Sequence, residues 1–441
     1  MDEILADREW RVRRRTEIQE KLKTPLICFS MNIPGPEKNA PLIEEAFQIG
    51  LEMLATQLSV AGIRIGFTDK HSKPTGCVAF YGVEGDPRRI KELTTEIEEA
   101  SPLGRLFDMD VLDEQGQKLE RSTERRCLLC ESSARVCGRS RAHGLEALVS
   151  RTREILQDGV WTYRSQKVAA QAARALLYEV CTTPKPGLVD RRNSGSHADM
   201  DIFTFMDSVP VLQPYFARCA RIGMETACLP PEETFEKLRY PGRMAEGDMR
   251  RATGGVNTHK GAIFCLGILC AALGRLEPDL WKVPERVAEE CAAMTKGLTE
   301  RELAGVTAES ARTAGERIYA AHGVTGIRGQ VEAGFPAVLN TGLPVLEQGV
   351  NRKRSLERAG SAVLLALMTA AVDTNMVARS DYETARRMSR EMALLLARDM
   401  YPDEEKLLIL DELFRENNLS PGGSADLLAV TYFLYFLKNA D

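Results

Sequence analysis

The stretch from Thr182 to Asp201, TTPKPGLVDRRNSGSHADMD, gathers Lys185, Asp190, Arg191, Arg192, Asn193, His197, Asp199 and Asp201 into one short run. A buried polar group without a partner costs about 1–3 kcal/mol, so such a run is either a solvated loop or a site that uses its groups. Carboxylates at Asp190, Asp199 and Asp201 suit a hard cation or general-base duty, and His197 suits proton transfer or ligation. Lys185, Arg191 and Arg192 can pair with phosphate oxygens. Two more clusters have the same character: TGGVNTHKG (Thr253 to Gly261, with Asn257, His259 and Lys260) and SPGGSAD (Ser420 to Asp426). Each leads directly into an apolar segment. A helix starting there offers free N–H groups and a positive dipole end to an anion, and Lys260 adds a full charge. Ser424 also reads as a plain N-cap with Asp426 in the first turn, and His259 as a core histidine. Asp373 and Asn375 follow the apolar run Ala362 to Val372. An acid late in a helix opposes the macrodipole, so Asp373 is expected to meet a cation or a donor.

A different chemistry is written near the start. In LGRLFDMDVLD, Leu103 to Asp113, strand periodicity puts Phe107, Met109 and Val111 on one face and Asp108 and Asp110 on the other. Neighbouring carboxylates repel unless a cation lies between them, and a D-x-D pair on a strand suits Mg²⁺ in nucleotidyl transfer. The segment RRCLLCESSARVCGRSRAHG follows. Its Cys127, Cys130, Cys137 and His143 have the ligand types and spacing of a structural zinc site.

The elements that position these groups fall into two kinds. The first part alternates: a helix over 4–24 with basic residues Arg11, Arg13, Arg14 and Arg15, a strand over 25–32, a helix over 41–60, a strand pair around 63–68 and 76–81, a helix over 87–100, then the D-x-D strand. That order predicts an α/β or α+β domain. Residues 144–165 predict a helix followed by a turn at Asp158-Gly159, with the domain boundary near 150–160. Beyond Gln166 the pattern is helical over 166–181, 205–228, 261–274, 284–297, 308–321, 357–379, 381–399, 404–417 and 425–438, a mostly all-α domain. Pro184 and Pro186 exclude a regular helix from the polar run.

The 441 residues carry 58 basic and 63 acidic side chains, a balance that points to neither nucleic acid nor a membrane surface. The N-terminus lacks a signal-type apolar core, and no apolar run reaches the about 20 residues a bilayer needs. A cytoplasmic protein is expected. Several of the 11 cysteines, Cys181, Cys265, Cys270 and Cys291 among them, sit in apolar helical runs as small hydrophobes. That favours a reducing compartment over a disulfide scaffold.

Residues 1–150 resemble, through SPLGRLFDMDVL, RRCLLCESSARVCGRSRAH and the early turn Pro34-Gly35-Pro36, the apo-citrate lyase phosphoribosyl-dephospho-CoA transferase family. The resemblance implies a nucleotidyltransferase-like domain that attaches the citrate lyase prosthetic group to a serine of the apo-acyl carrier protein (gamma) subunit, releasing diphosphate. Asp108 and Asp110 would hold the Mg²⁺. From about 160 to the end, PKPGLVDRRNSGSHADMD, GVNTHKGAIF and NLSPGGSADLLAVTYFL are similar to triphosphoribosyl-dephospho-CoA synthase. This implies that ATP and 3′-dephospho-CoA are joined with loss of adenine.

The transition state of that reaction is oxocarbenium-like and suits paired carboxylates. Asp190, Asp199, Asp201, Asp373 and Asp426 are candidates for Mg²⁺ or base duty, and His197 and His259 for proton transfer or ligation. Lys185, Arg191, Arg192, Asn193, Asn257, Lys260, Asn375 and Ser424 are candidates for substrate binding. No G-x-x-x-x-G-K-[ST] is present, so ATP would act as a pentosyl donor and not as a P-loop substrate. The segment after Asn375, MVARSDYET, departs from the glycine-containing stretch expected there and leaves Arg379 without a role. Three rivals remain at this level: the equivalent system of malonate decarboxylase, a zinc-stabilised binding or regulatory module, and a hydrolase that releases adenine without dephospho-CoA.

Overall fold

Two compact units, Met1–Tyr163 and Arg164–Asp441, divide the chain. The structure is a computed structural model and describes residues 2–130 and 132–440. In the first unit the strands β1 (Leu26–Met31), β2 (Arg64–Lys73), β3 (Gly76–Glu84) and β4 (Phe107–Leu112) form one sheet. Their order is β2-β3-β1-β4 and every pairing is antiparallel, so the unit is α+β and has no parallel crossovers. β4 alternates as its sequence requires: Phe107, Met109 and Val111 are fully buried, while Asp108 and Asp110 point to the other face. The buried face joins Ile27 and Phe29 of β1 and residues of α2 (Pro41–Val60) and α3 (Pro87–Glu99) in one core. On the opposite face a small cluster sets Ile18 of α1 (Asp2–Leu22) against Leu26, Val78, Phe80 and Leu112. The basic residues of α1 are not all solvated. Arg14 is paired with Asp69 of β2 at 2.8 Å, and Arg11 with Asp7 at 2.7 Å.

After a short helix α4 (Ala134–Ser140), α5 runs unbroken from Leu145 to Cys181. The turn expected at Asp158-Gly159 does not form. Gly159 serves close packing instead: a Cβ there would lie 2.8 Å from that of Leu103.

The second unit is helical, as its patterning requires. α6 (Ile202–Glu225), α7 (Pro231–Ala252) and α8 (Lys260–Arg275) are followed by α9 (Pro284–Thr295), α10 (Leu298–Leu303), α11 (Ala314–His322), α12 (Gly326–Glu332) and α13 (Leu343–Asn351). The series ends with α14 (Leu356–Ala370), α15 (Thr374–Arg379), α16 (Tyr382–Arg398), α17 (Glu404–Glu416) and α18 (Gly422–Lys438). α6 and α8 pack backbone to backbone through Gly223 and Gly274, where an added Cβ would lie 2.0 Å from a carbonyl oxygen of the partner helix. The single helix expected over 357–379 is two. Ala371 is extended, and Asp373 caps the second piece by accepting the N–H groups of Asn375 and Met376. α18 starts earlier than expected, at Gly422, so Ser424 lies inside it and is not its N-cap, and Asp426 lies beyond the first turn. Among the described residues, no helix is long and apolar enough to cross a membrane.

Candidate active sites

The second unit contains a cavity of about 760 Å³. The three polar clusters converge on it: Lys185 and His197 from the first, Asn257, His259 and Lys260 from the second, and Ser424 and Asp426 from the third, joined by Asp373 and Asn375. Five helix starts supply the wall, those of α8, α11, α12, α15 and α18. Asp373 ties two of them together, because its Oδ2 also accepts the Ser424 N–H at 2.6 Å and the Ser424 hydroxyl at 2.9 Å. The donor foreseen for Asp373 is therefore present, but as the N–H groups of two helix N-termini and not as compensation for a C-terminal dipole.

Asp426 stands against the start of α8 and accepts the Ala262 N–H. Its carboxyl is pushed well above the usual range by burial, then by the charges of Glu179 and Asp373. The close approach dictates Gly261, since a Cβ there would lie 1.8 Å from Asp426 Oδ2. Gly261→Ala is expected to displace the carboxylate, cost about 1–3 kcal/mol through overpacking, and reduce adenine formation from ATP at least tenfold. A melting curve and a chromatographic adenine assay check both effects.

Glu179, near the end of α5, also lines the cavity and is ion-paired with Lys185, a lysine almost wholly removed from solvent. Burial raises its carboxyl, and the Lys185 ammonium opposes that rise. His259 is buried as the core alternative requires, yet it faces the cavity. Burial and the Lys185 charge push its imidazole down to about 3. Its Nδ1 is 2.7 Å from the Ser208 hydroxyl, which in turn donates to the Phe205 carbonyl at 2.8 Å. His259 Nε2 is buried and has no hydrogen-bond partner among the described residues. His197 Nε2 lies 2.8 Å from the Ser420 hydroxyl, and burial followed by the Arg379 charge lowers its imidazole.

Leu188, Val189 and Met200 of the same run also line the cavity, whereas its other polar side chains lie outside the lining. From Thr182 to Asp190 every residue is buried, so this half is not a solvated loop. Asp190 satisfies it internally: Oδ2 accepts the Lys185 N–H, and Oδ1 accepts those of Arg192 and Asn193. Its carboxylate shapes the turn that presents Lys185. Asn193 donates to Asp411 of α17, which also accepts the Gly187 N–H. Asp201 is the exposed N-cap of α6, in a capping box with Thr204. Asp199 is exposed, 3.9 Å from His197 Nδ1. Arg191 and Arg192 line a separate pocket with Glu357, Arg358 and Glu404. Sequence reasoning missed Glu179, which lies mid-pattern in a helix, and the cavity cations Arg250 and Arg328. Arg379, left without a role, bonds the Ser196 carbonyl and Asn418 Oδ1, the latter at 2.7 Å, and holds two loops at the cavity edge.

In the first unit Asp108 and Asp110 stand on one face of β4 opposite Ser30 and Cys28. Lys118 meets Asp110 at 2.7 Å. Burial, then the Asp110 charge, raises the Asp108 carboxyl. Cys127, Cys130, Cys137 and His143 come together, with one ligand atom from each within 4.8 Å of the others. That group could hold a metal ion.

Residues 165–441 match the family described as ATP:dephospho-CoA triphosphoribosyl transferase, and residues 1–159 the family described as apo-citrate lyase phosphoribosyl-dephospho-CoA transferase. Protein CitXG of Haemophilus influenzae is 33% identical over 100% of this chain and 97% of its own length. Protein CitXG of Leuconostoc mesenteroides subsp. cremoris is 32% identical over 98% of this chain and 96% of its own. A 2-(5''-triphosphoribosyl)-3'-dephosphocoenzyme-A synthase of Pectobacterium atrosepticum, 40% identical, aligns with 66% of this chain and 95% of its own length. Fold, cavity and matches together define a transferase built from two family segments. The chain belongs to the ATP:dephospho-CoA triphosphoribosyl transferase family, in the two-segment form that the CitXG proteins represent.

Proposed function

We propose that this chain is a bifunctional maturation enzyme of citrate lyase. The second unit bonds the anomeric carbon of the ATP ribose to the 2′-hydroxyl oxygen of 3′-dephospho-CoA while the bond to adenine breaks. The hydroxyl proton leaves the acceptor and adenine departs protonated. The first unit then lets a serine of the apo-acyl carrier protein attack the phosphorus nearest the new ribose, with diphosphate leaving. The observation that carries this reading is the convergence of three distant polar motifs on one cavity, in a chain matched end to end by two-segment relatives.

The cavity residues divide by chemistry. Carboxylates at Asp426 and Glu179 face the positive charge that builds on the ribose. His259, at the cavity wall and without a partner for Nε2 among the described residues, is the imidazole placed to hydrogen-bond the attacking hydroxyl. Lys260, Arg250 and Arg328, with the N–H groups at the start of α8, suit triphosphate oxygens. Asn257, Asn375 and Ser424 hydrogen-bond substrate. Asp373, with both oxygens engaged by helix N–H groups, fixes the floor. Asp190, Arg191, Arg192, Asn193, Asp199 and Asp201 support this frame from outside the cavity.

Magnesium fits both units. Asp108 beside Asp110, and Asp426 beside Glu179, are oxygen ligands whose mutual repulsion a hard cation relieves. When bound, Mg²⁺ would neutralise charge on phosphate oxygens. The antiparallel sheet with its D-x-D strand supports a nucleotidyltransferase-like reading of the first unit. A cytoplasmic location suits substrates of this kind.

Adenine release from ATP and Mg²⁺, followed by chromatography with and without 3′-dephospho-CoA, tests the synthase reading. Release only in its presence is expected. Release without it would mark a hydrolase, and no release from folded protein would overturn the assignment.

A further inference from the structure

Between Asp113 and Ser150 no described residue is buried. Among its described residues Leu119 and Leu128 are the hydrophobics that pack, partly buried, against the core of the unit, too little burial to hold nearly forty residues of chain in a defined path. Helix α4, in the middle, buries no residue either. Something else must fix this segment.

The Cys127-x-x-Cys130 turn supplies the geometry for it. The Leu129 N–H points at Cys127 Sγ, 3.5 Å away, and the Cys130 N–H also points at that sulfur. The Ser132 N–H is directed at Cys130 Sγ. Backbone N–H groups turned onto two successive sulfurs are the outer support a metal-bound thiolate needs. Cys130 Sγ lies 3.4 Å from Cys137 Sγ and 3.3 Å from His143 Nε2. Ligands at 2.3 Å (sulfur) and 2.0–2.1 Å (nitrogen) around one tetrahedral ion are separated by about 3.5–3.8 Å. The cysteines are free thiols, so no disulfide does this work.

The segment has a target in its own unit. Arg125 donates from Nη2 to the Phe107 carbonyl at 2.7 Å and pairs with Glu98 at 3.0 Å, and Glu98 accepts the Met109 N–H at 2.6 Å. Both carbonyl and N–H belong to β4, on either side of Asp108. Arg105, just before β4, bonds back to the carbonyls of Arg126 and Cys127.

We propose that Cys127, Cys130, Cys137 and His143 bind one zinc ion, and that this ion positions Arg125 against the strand bearing Asp108 and Asp110. Carrier loading then depends on zinc while adenine release does not. The four ligands close the coordination sphere, so the ion is structural. The functional consequence rests on the proposed transfer reaction of this unit, whereas the metal site stands apart from it.

The test uses the full chain purified without chelator. One zinc per chain by mass spectrometry is expected, and Co²⁺ reconstitution should give thiolate charge-transfer and tetrahedral d–d absorption. Cys130→Ser should retain less than a tenth of the zinc, lose carrier loading more than a hundredfold, and keep adenine release within twofold. Arg125→Ala should keep the zinc and still slow loading at least tenfold. Wild-type chain without zinc or a cobalt spectrum would overturn the site. Full loading by zinc-depleted Cys130→Ser would overturn the positioning role. If wild-type chain loads no carrier at all, the transfer reading fails, and zinc content and cobalt spectrum still decide the site.

Discussion

Asp426→Asn is expected to abolish adenine release while raising the stability of the unliganded protein. Asp426 shares the cavity with Glu179 and Asp373, and their charges together with burial hold its carboxyl well above the usual range. A folded-state value above the unfolded one means that the native state binds the proton more tightly. Its stability is then fullest below the unfolded value and falls as pH rises toward the folded one. Asparagine keeps an oxygen for the Ala262 N–H and removes the charge. The variant should melt about 2–4 °C higher at pH 8, the equivalent of roughly 1 kcal/mol in a domain of this size, and the gain should vanish near pH 4. Adenine release should fall about 10²–10⁴-fold, the usual worth of a positioned acid or base. A variant that loses stability at pH 8 would show that Asp426 is held by contacts its charge supplies.

Asp108→Asn should separate the two activities. Carrier loading from preformed triphosphoribosyl-dephospho-CoA is expected to drop about 10²–10⁴-fold, since cation-assisted neutralisation is worth several kcal/mol. Adenine release should stay within twofold, because every residue lining its cavity lies beyond residue 164. The fold should not suffer, as burial and Asp110 already disfavour the Asp108 charge. Gel-shift loading of the carrier and the adenine assay on one preparation measure both outcomes. Equal loss of the two activities in folded protein would reject separate sites.

Much of this arrangement was legible where local pattern and tertiary demand agree. Period-two burial in Phe107, Met109 and Val111 gave the D-x-D face, and apolar helices after polar clusters gave the cavity wall. The failures have physical causes. The break before Asp373 carries neither glycine nor proline; it exists because the carboxylate serves two helix starts at once. Asp158-Gly159 reads as a turn, yet the glycine is needed where α5 passes Leu103. α7 went unread because Pro241 interrupts its pattern, although Pro231 marks its start. Asp190 reads from the sequence as an acid in a polar run suited to metal or base duty, and what the sequence does not show is that its oxygens accept the N–H groups of the turn around it. Glu179 could not be found locally at all, since its significance comes only from Lys185 and Asp426 facing it in space.

The unbroken α5 has a practical side. Its Ile155, Leu156 and Val160 belong to the core of the first unit, while Val168, Ala169, Ala172 and Leu176 belong to that of the second. Anyone dissecting the protein into halves, or grafting one half onto a foreign carrier system, must cut a helix and not a loop. A cut before Val160 strips apolar side chains from the first half, and one after Val168 strips them from the second. The short interval after Tyr163 is the place where the scissors take least from either, provided that each fragment receives a new helix cap.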